Sequence, residues 1–299
     1  MKIGMIGLGR MGLNMVKRLI KEGHEVVAFN RSKGPLDEAA KAGAIAAKDL
    51  KDLVAKLTAP RVVWVMLPAG KVTDQKINEV AGLLEAKDIV IDGGNSFFKD
   101  DIRRAEELAR KKIDYMDVGT SGGIWGLKIG YCLMIGGKKE NYDYLEPVFK
   151  ALAPPNGYGY MGSHGAGHFV KMVHNGIEYG MMQSYAEGFE ILEKSSYDLD
   201  FHQISKLWNQ GSVVRSWLLE LAEDAFKKDP KLKALAPYVE DSGEGRWTVE
   251  QAVELGVPAP AIAAAVFSRF ASRDGNAFSL RLLAALRNEF GGHAVKTQK

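Results

Sequence analysis

The sequence predicts an α/β fold, with a doubly wound parallel sheet in the N-terminal half followed by an all-α C-terminal domain. Three observations carry this. Short apolar runs alternate with longer amphipathic stretches through the first half, as strands and helices taken in turn would. The glycine pattern Gly7-x-Gly9-x-x-Gly12 follows the first apolar run and opens the first amphipathic one. After about residue 160 the remaining segments carry helical periodicity, with no convincing strand between them.

Strands are expected over 2–6, 25–29, 61–67, 88–92, 114–118 and 130–136. Helices near 11–22, 35–42, 72–85 and 100–111 separate them, so both faces of the sheet are covered. Pro154-Pro155-Asn156-Gly157 is a cluster of chain breakers just before the texture changes. The boundary is therefore placed near residue 162, with a dinucleotide-binding Rossmann-type domain over 1–162. A helical substrate and oligomerisation domain follows over 163–299. Its helices are expected over 165–195, 200–227, 248–255, 258–271 and 276–289.

Composition narrows the function classes. A formal net charge of +3, from 40 basic and 37 acidic residues, is too weak to argue for nucleic acid. No uncharged apolar run approaches the roughly 18 residues of a membrane span. The chain opens directly on a strand-like run, which leaves no room for a signal peptide, so a cytoplasmic location is expected. Cys132 is the only cysteine, so no intrachain disulfide can form, and its apolar neighbours suggest a buried strand residue. The six histidines show no metal-ligand spacing, and no metal is expected.

The glycine loop predicts a dinucleotide site formed by Gly7, Leu8, Gly9, Arg10, Met11 and Gly12. The first glycine makes the turn, the second admits the pyrophosphate to the backbone, and the third lets helix pack on strand. The second strand ends at Asn30-Arg31-Ser32, without the acidic residue that usually holds the ribose of NAD. Arg31 and Ser32 suit a 2′-phosphate instead, so NADP is favoured, with NAD as the alternative. Leu67-Pro68-Ala69 and Asp92-Gly93-Gly94-Asn95-Ser96 fall at further strand ends, where ligands of such sheets bind. Thr120-Ser121-Gly122-Gly123 offers a hydroxyl and open backbone amides to a carboxylate or hydroxyl ligand.

The segment Lys171–Tyr179 sets a possible base and a possible acid on one helical stripe. Lys171, His174, Asn175 and Glu178 are spaced i, i+3, i+4, i+7 and project from one side of a helix. Lys171 and Glu178 then stand about 10 Å apart along the axis. Lys and Glu on a helix face are more often solvated surface, and His174 is equally well read as a core histidine. Arg269 lies on an apolar helix stretch, where an arginine usually has a buried anionic partner.

Gly7-Leu-Gly-Arg-Met-Gly12, Asn30-Arg-Ser32, Asp92-Gly-Gly-Asn-Ser96, Thr120-Ser-Gly-Gly123 and Lys171-Met-Val-His-Asn-Gly-Ile-Glu-Tyr179 together resemble the decarboxylating 6-phosphogluconate dehydrogenases, in their short form. The likeness runs over essentially the whole chain. It implies that Lys171 is the general base and Glu178 the general acid. It makes Asn95, Ser121, Gly122, Gly123, His174, Asn175 and Tyr179 substrate contacts, and Arg269 a ligand of the substrate phosphate. Arg287 and His293 resemble a tail segment that completes a neighbouring subunit's pocket, so a homodimer or homotetramer is implied. One departure stands out: Ser242 or its neighbour occupies the place of a phosphate-binding lysine in longer members.

The resemblance implies oxidation of 6-phosphogluconate at C3 followed by loss of carbon dioxide, giving ribulose 5-phosphate. Two rivals remain. A β-hydroxyacid dehydrogenase acting on substrates such as 3-hydroxyisobutyrate would share the glycine fingerprint and the lysine without decarboxylating. A non-catalytic NADP sensor would need no Lys-Glu stripe.

Overall fold

A computed structural model of the chain describes residues 1–275, 277–291 and 294–296. The first half runs β1 (Lys2–Ile6), α1 (Arg10–Lys21), β2 (Glu25–Phe29), α2 (Lys33–Lys41), β3 (Ile45–Ala46) and α3 (Leu50–Ala55). It continues with β4 (Val62–Val65), α4 (Lys71–Ala81), β5 (Ile89–Asp92), α5 (Phe98–Ala109) and β6 (Asp114–Ser121). After a 3-10 turn at Gly123–Trp125 come α6 (Gly126–Ile129), β7 (Cys132–Gly137), α7 (Lys139–Leu152) and β8 (Tyr158–Gly162). The chain divides into two compact units, Met1–Asn175 and Gly176–Lys299, and the helix α8 (Ala166–Glu193) runs through the division.

The eight strands form one sheet in the order β3-β2-β1-β4-β5-β6-β7-β8. Strand order reverses between β1 and β4, so their carboxyl ends open the crevice where such sheets take ligands. All neighbours are parallel except β6 and β7, which run antiparallel. The expectation of a parallel sheet fails at that pair for a simple reason. Parallel neighbours need a crossover of a dozen or more residues, and only 122–131 join β6 to β7.

Alternation along the strands builds two cores. Ile3, Met5, Val62, Trp64, Ile89 and Ile91 meet Met15 and Leu19 of α1 and Leu145, Val148 and Phe149 of α7 on one face. Ile6, Val63, Val65 and Val90 meet Leu53 of α3, Ile77 of α4 and Leu108 of α5 on the other. Strands buried on both faces read as unbroken apolar runs, which is what Val-Val-Trp-Val at β4 shows.

The second unit is helical: α9 (Phe201–Trp208), α10 (Trp217–Lys228), α11 (Glu244–Glu254), α12 (Pro260–Arg273) and α13 (Phe278–Gly291). The single helix expected over 200–227 is two. Gly211 takes φ +78, and the Ser216 hydroxyl accepts from Leu219 N to start α10 afresh. Phe201, Leu219 and Phe226 of that pair cluster with Phe189 of α8 in one buried apolar core.

Candidate active site

The glycine loop has the geometry that the sequence required. Gly7 takes φ +93, and a Cβ there would stand 2.4 Å from the Met66 carbonyl oxygen. A Cβ on Gly12 would stand 2.1 Å from the Gly7 carbonyl oxygen, so any larger residue would push α1 off β1. At Gly9 a Cβ would meet nothing within 4 Å, and no side chain caps α1. The first amides of that helix thus face open space with their positive dipole end, a fit for a pyrophosphate. Leu8 and Met11 turn into or against the apolar core, which leaves only their backbone for a cofactor.

Asn30 is structural within this loop. Its Oδ1 accepts from Leu8 N at 3.0 Å and its Nδ2 donates to the Ser32 carbonyl at 3.0 Å, tying β1 to the end of β2. Arg10, Arg31 and Ser32 are exposed. In the neighbouring loop, Pro68 and Ala69 are exposed while Leu67 packs on the core.

Asn95 joins the loop after β5 to the end of β6. It sits at φ +55, donates to the Thr120 carbonyl at 3.0 Å and accepts from Thr120 N at 2.8 Å. Ser121 and Gly122 follow at the strand end, half-buried, and Gly123 is exposed. Cys132 pairs across the sheet with Ser121. It is exposed rather than buried as expected, because it is the first residue of β7, beside that open loop. Partial desolvation pushes its thiol up, against the pull of the Lys171 charge.

Lys171 rises from α8 against β6 and is only 4% exposed. Its Nζ donates to Asn175 Oδ1 and stands 3.5 Å from His174 Nδ1, which is 3.0 Å from the same amide oxygen. The lysine, histidine and asparagine of the stripe are therefore together in space. What admits the helix so close is Gly119, where a Cβ would lie 2.4 Å from Lys171 Cβ and 2.8 Å from the Gly167 carbonyl oxygen. Gly119→Ala is expected to push α8 outward. Misplacement on that scale lowers kcat by about 100-fold, with dinucleotide affinity unchanged in a fluorescence titration.

A buried polar network, missed in the sequence, lies beneath these loops. Asp92 accepts from Gly94 N at 2.8 Å, Ser96 Oγ at 2.6 Å and Arg104 Nη1 at 2.7 Å, which shapes the loop that carries Asn95. Asp101 accepts from Tyr115 at 2.6 Å and stands 2.8 Å from His168 Nδ1. Asp117 accepts from Gly165 N at 2.7 Å and His168 N at 2.9 Å, and so caps α8 from β6. Burial pushes the Asp117 carboxyl up to about 6 despite those two bonds. The one available signal was Asp117 itself, a charge amid the apolar run of β6. Asp92, Asp101 and His168 bring potential metal ligands within 4.8 Å of one another. Arg104, whose Nη1 is 2.7 Å from Asp92 and 3.5 Å from Asp101, already supplies positive charge inside that cluster.

In the second unit, Glu178 is half-buried on α8 and Tyr179 is buried beside it. The Tyr179 hydroxyl accepts from Ser242 N at 3.2 Å, and Ser242 Oγ donates to the buried Glu244. A Cβ on Gly245 would stand 2.5 Å from the Tyr179 ring, so that loop closes onto the tyrosine. Arg269 is half-buried, but its partners differ from the anion expected. Its guanidinium lies 3.7 Å from the Tyr179 ring centroid and donates to the Glu240 carbonyl at 2.8 Å. Stacking satisfies its face and the carbonyl one of its edges. Arg287 is exposed on α13, and His293 lies outside the described residues.

Two domain families match this layout. The NAD binding domain of 6-phosphogluconate dehydrogenase matches residues 2–162, and the C-terminal domain of 6-phosphogluconate dehydrogenase matches residues 167–279. The chain belongs to the 6-phosphogluconate dehydrogenase family. It is an oxidoreductase of that family, built on a nicotinamide dinucleotide-binding domain. It is 47% identical to the NAD(+)-dependent, decarboxylating 6-phosphogluconate dehydrogenase of Haloferax volcanii, over 99% of this chain and 98% of that protein. The structure of Plasmodium falciparum 6-phosphogluconate dehydrogenase superposes with a TM-score of 0.83 at 29% identity, covering all of this chain and 66% of the other. A 3-hydroxyisobutyrate dehydrogenase of Mycobacterium tuberculosis, with a TM-score of 0.72 at 22% identity, covers 91% of this chain and 94% of its own. That last likeness is one of fold alone. Among the described residues no helix is long and apolar enough to cross a membrane.

Proposed function

We propose that this enzyme oxidises 6-phosphogluconate at C3 and decarboxylates the product, releasing ribulose 5-phosphate and carbon dioxide. The observation that carries the reading is the buried Lys171 amine at the carboxyl end of β6, on the helix that bears Glu178 seven residues on. The names of the Haloferax and Plasmodium relatives support it.

In this reading Asn95, Ser121, Gly122, Gly123, His174, Asn175 and Tyr179 hold the sugar acid, and Arg269, Arg287 and His293 serve its phosphate. The tail residues reach a neighbouring subunit of a homodimer or homotetramer. As a base, Lys171 acts from its uncharged amine. Lys171 takes the C3 hydroxyl proton. A nicotinamide dinucleotide bound at the glycine loop supplies the hydride acceptor. The C3 ketone makes the acid a β-keto acid, whose C1–C2 bond breaks with the electron pair moving toward the C3 oxygen. The ammonium of Lys171 donates to that oxygen and stabilises the developing charge. Glu178 then delivers a proton to the carbon that lost carbon dioxide. Steady-state kinetics test the substrate: 6-phosphogluconate is turned over, while 3-hydroxyisobutyrate is not. Faster oxidation of 3-hydroxyisobutyrate would assign the enzyme to the non-decarboxylating class.

Exposed Arg31 and Ser32, with no acidic residue at the end of β2, support NADP as the dinucleotide. The name of the Haloferax relative favours NAD as the second reading. A charge-assisted bond to a 2′-phosphate makes Arg31→Ala cost about 10- to 100-fold in kcat/KM for NADP, with NAD unaffected. Equal losses with both would remove Arg31 from recognition of the 2′ position.

A further inference from the structure

We infer that His168, carried as an imidazolium and clamped by Asp101, is a positioning residue that fixes the start of α8 and through it the Lys171 amine. The inference rests on the role proposed above for Lys171, but its physical content is separable from that role.

His168 is held from two elements at once. Its ring Nδ1 stands 2.8 Å from Asp101 Oδ2 of α5, and its backbone N donates to Asp117 of β6 at 2.9 Å. Lys171 follows three residues on and lies on the same face of α8. Burial pushes the Asp101 carboxyl up while the His168 charge and hydrogen bond pull it down; as a carboxylate it only accepts, so Nδ1 carries the proton in this pair. Nε2 is buried and finds no partner among the described residues. One bond to Asp101 therefore secures the whole ring, and its strength depends on charge.

Charge balance in the cluster favours the imidazolium. The groups that face His168 are Asp101 and Arg104 of α5, Asp92 of β5, Asp117 and Tyr115 of β6, and Lys171 one turn along its own helix. Asp92, Asp101 and Asp117 are buried around the Arg104 guanidinium, which also pairs with Asp74, so an imidazolium supplies further positive charge to the cluster. Asp101 and the neighbouring carboxylates outweigh desolvation and raise the His168 pKa to about 9. The sign follows. A folded value above the unfolded one of about 6.5 gives stability fully present below the unfolded value and lost as pH rises through about 9. Lys171 stands one turn beyond His168 on α8 and the Asp92 loop shares the network, so the loss is felt at the base while the glycine loop on β1 and α1 stays in place.

The test uses the full-length protein without ligands, followed by kinetics. In wild type, ring 15N NMR is expected to show His168 titrating near pH 9, with the resonance assigned by its absence in His168→Gln. Asp101→Asn moves that titration below pH 8. Thermal midpoints fall between pH 7 and pH 9.5 in wild type and stay level in His168→Gln. Amide exchange at residues 165–171 speeds at least tenfold in His168→Gln. Under the proposed activity, kcat in that variant drops about 10- to 100-fold with dinucleotide KM unchanged. A ring that titrates between 6 and 7, or wild-type exchange at 165–171 in His168→Gln, overturns the inference. Should His168→Gln fail to fold, through-bond correlation from the ring to the His168 backbone assigns the resonance, and the titration shift in Asp101→Asn still decides. The exchange and NMR results concern the clamp alone, so a wrong substrate assignment would leave them unaltered and show only as absent turnover in wild type.

Discussion

Alanine at position 171 is expected to lower kcat with 6-phosphogluconate by about 10²- to 10⁴-fold, the contribution of a positioned general base, with little change in dinucleotide affinity. The Lys171 stem packs against Gly119, and its amine meets Asn175 and His174. The glycine loop lies on other elements, so cofactor binding survives the change. Lys171→Arg separates two roles that alanine merges. Arginine keeps the charge but stays protonated and cannot accept the C3 hydroxyl proton. Its activity should be as low as that of alanine, whereas a merely electrostatic lysine would be largely rescued by it. A small exogenous primary amine should restore part of the alanine variant's rate, with a rate that rises with pH as the added amine loses its proton.

The second large effect is expected at Glu178→Gln. Glutamine keeps the shape and hydrogen-bonding capacity of the side chain but has no acidic proton to give. If Glu178 is the acid, turnover falls by about 10²-fold or more, and the loss sits after carbon dioxide has left. Stereochemistry reads this out directly. In deuterium oxide the wild type places one deuterium at a single prochiral position of C1 of ribulose 5-phosphate. The variant, protonated by solvent, should give both positions in similar amounts. A variant that keeps one configuration would transfer the acid role to another group.

How much of this was visible in the amino-acid order depended on the range of each constraint. The Gly7-x-Gly9-x-x-Gly12 turn was legible because its requirements are local: φ +93 at Gly7 and two close approaches within a few residues. Strands β1, β2, β4 and β5 were legible because burial on both faces makes each an apolar run. Helix α7 was not, since Pro147 stands inside it and reads as a breaker. Strand β8 was hidden by its two glycines and its partly exposed tyrosines, and α3 and β3 by their short length. The antiparallel turn of β7 depends on connection length rather than on any residue within the strand.

The site shows the same division. Lys171, His174 and Asn175 share a stripe at helical spacing, and the structure brings them together. Asp101, Arg104 and His168 lie on two elements and meet Asp92 and Asp117 only through packing, so no local pattern marks the cluster they form. Arg269 was legible as a cation that needed a partner. Its stacking on Tyr179 was not, because that depends on how α12 lies against α8.

The most direct measurement follows carbon and electrons together, with 6-phosphogluconate labelled at C1. The account predicts one labelled carbon dioxide released for each dinucleotide reduced in wild type, and neither product from Lys171→Ala. Reduced dinucleotide formed while the label stays in a six-carbon acid would contradict it, since the enzyme would then oxidise without breaking the C1–C2 bond.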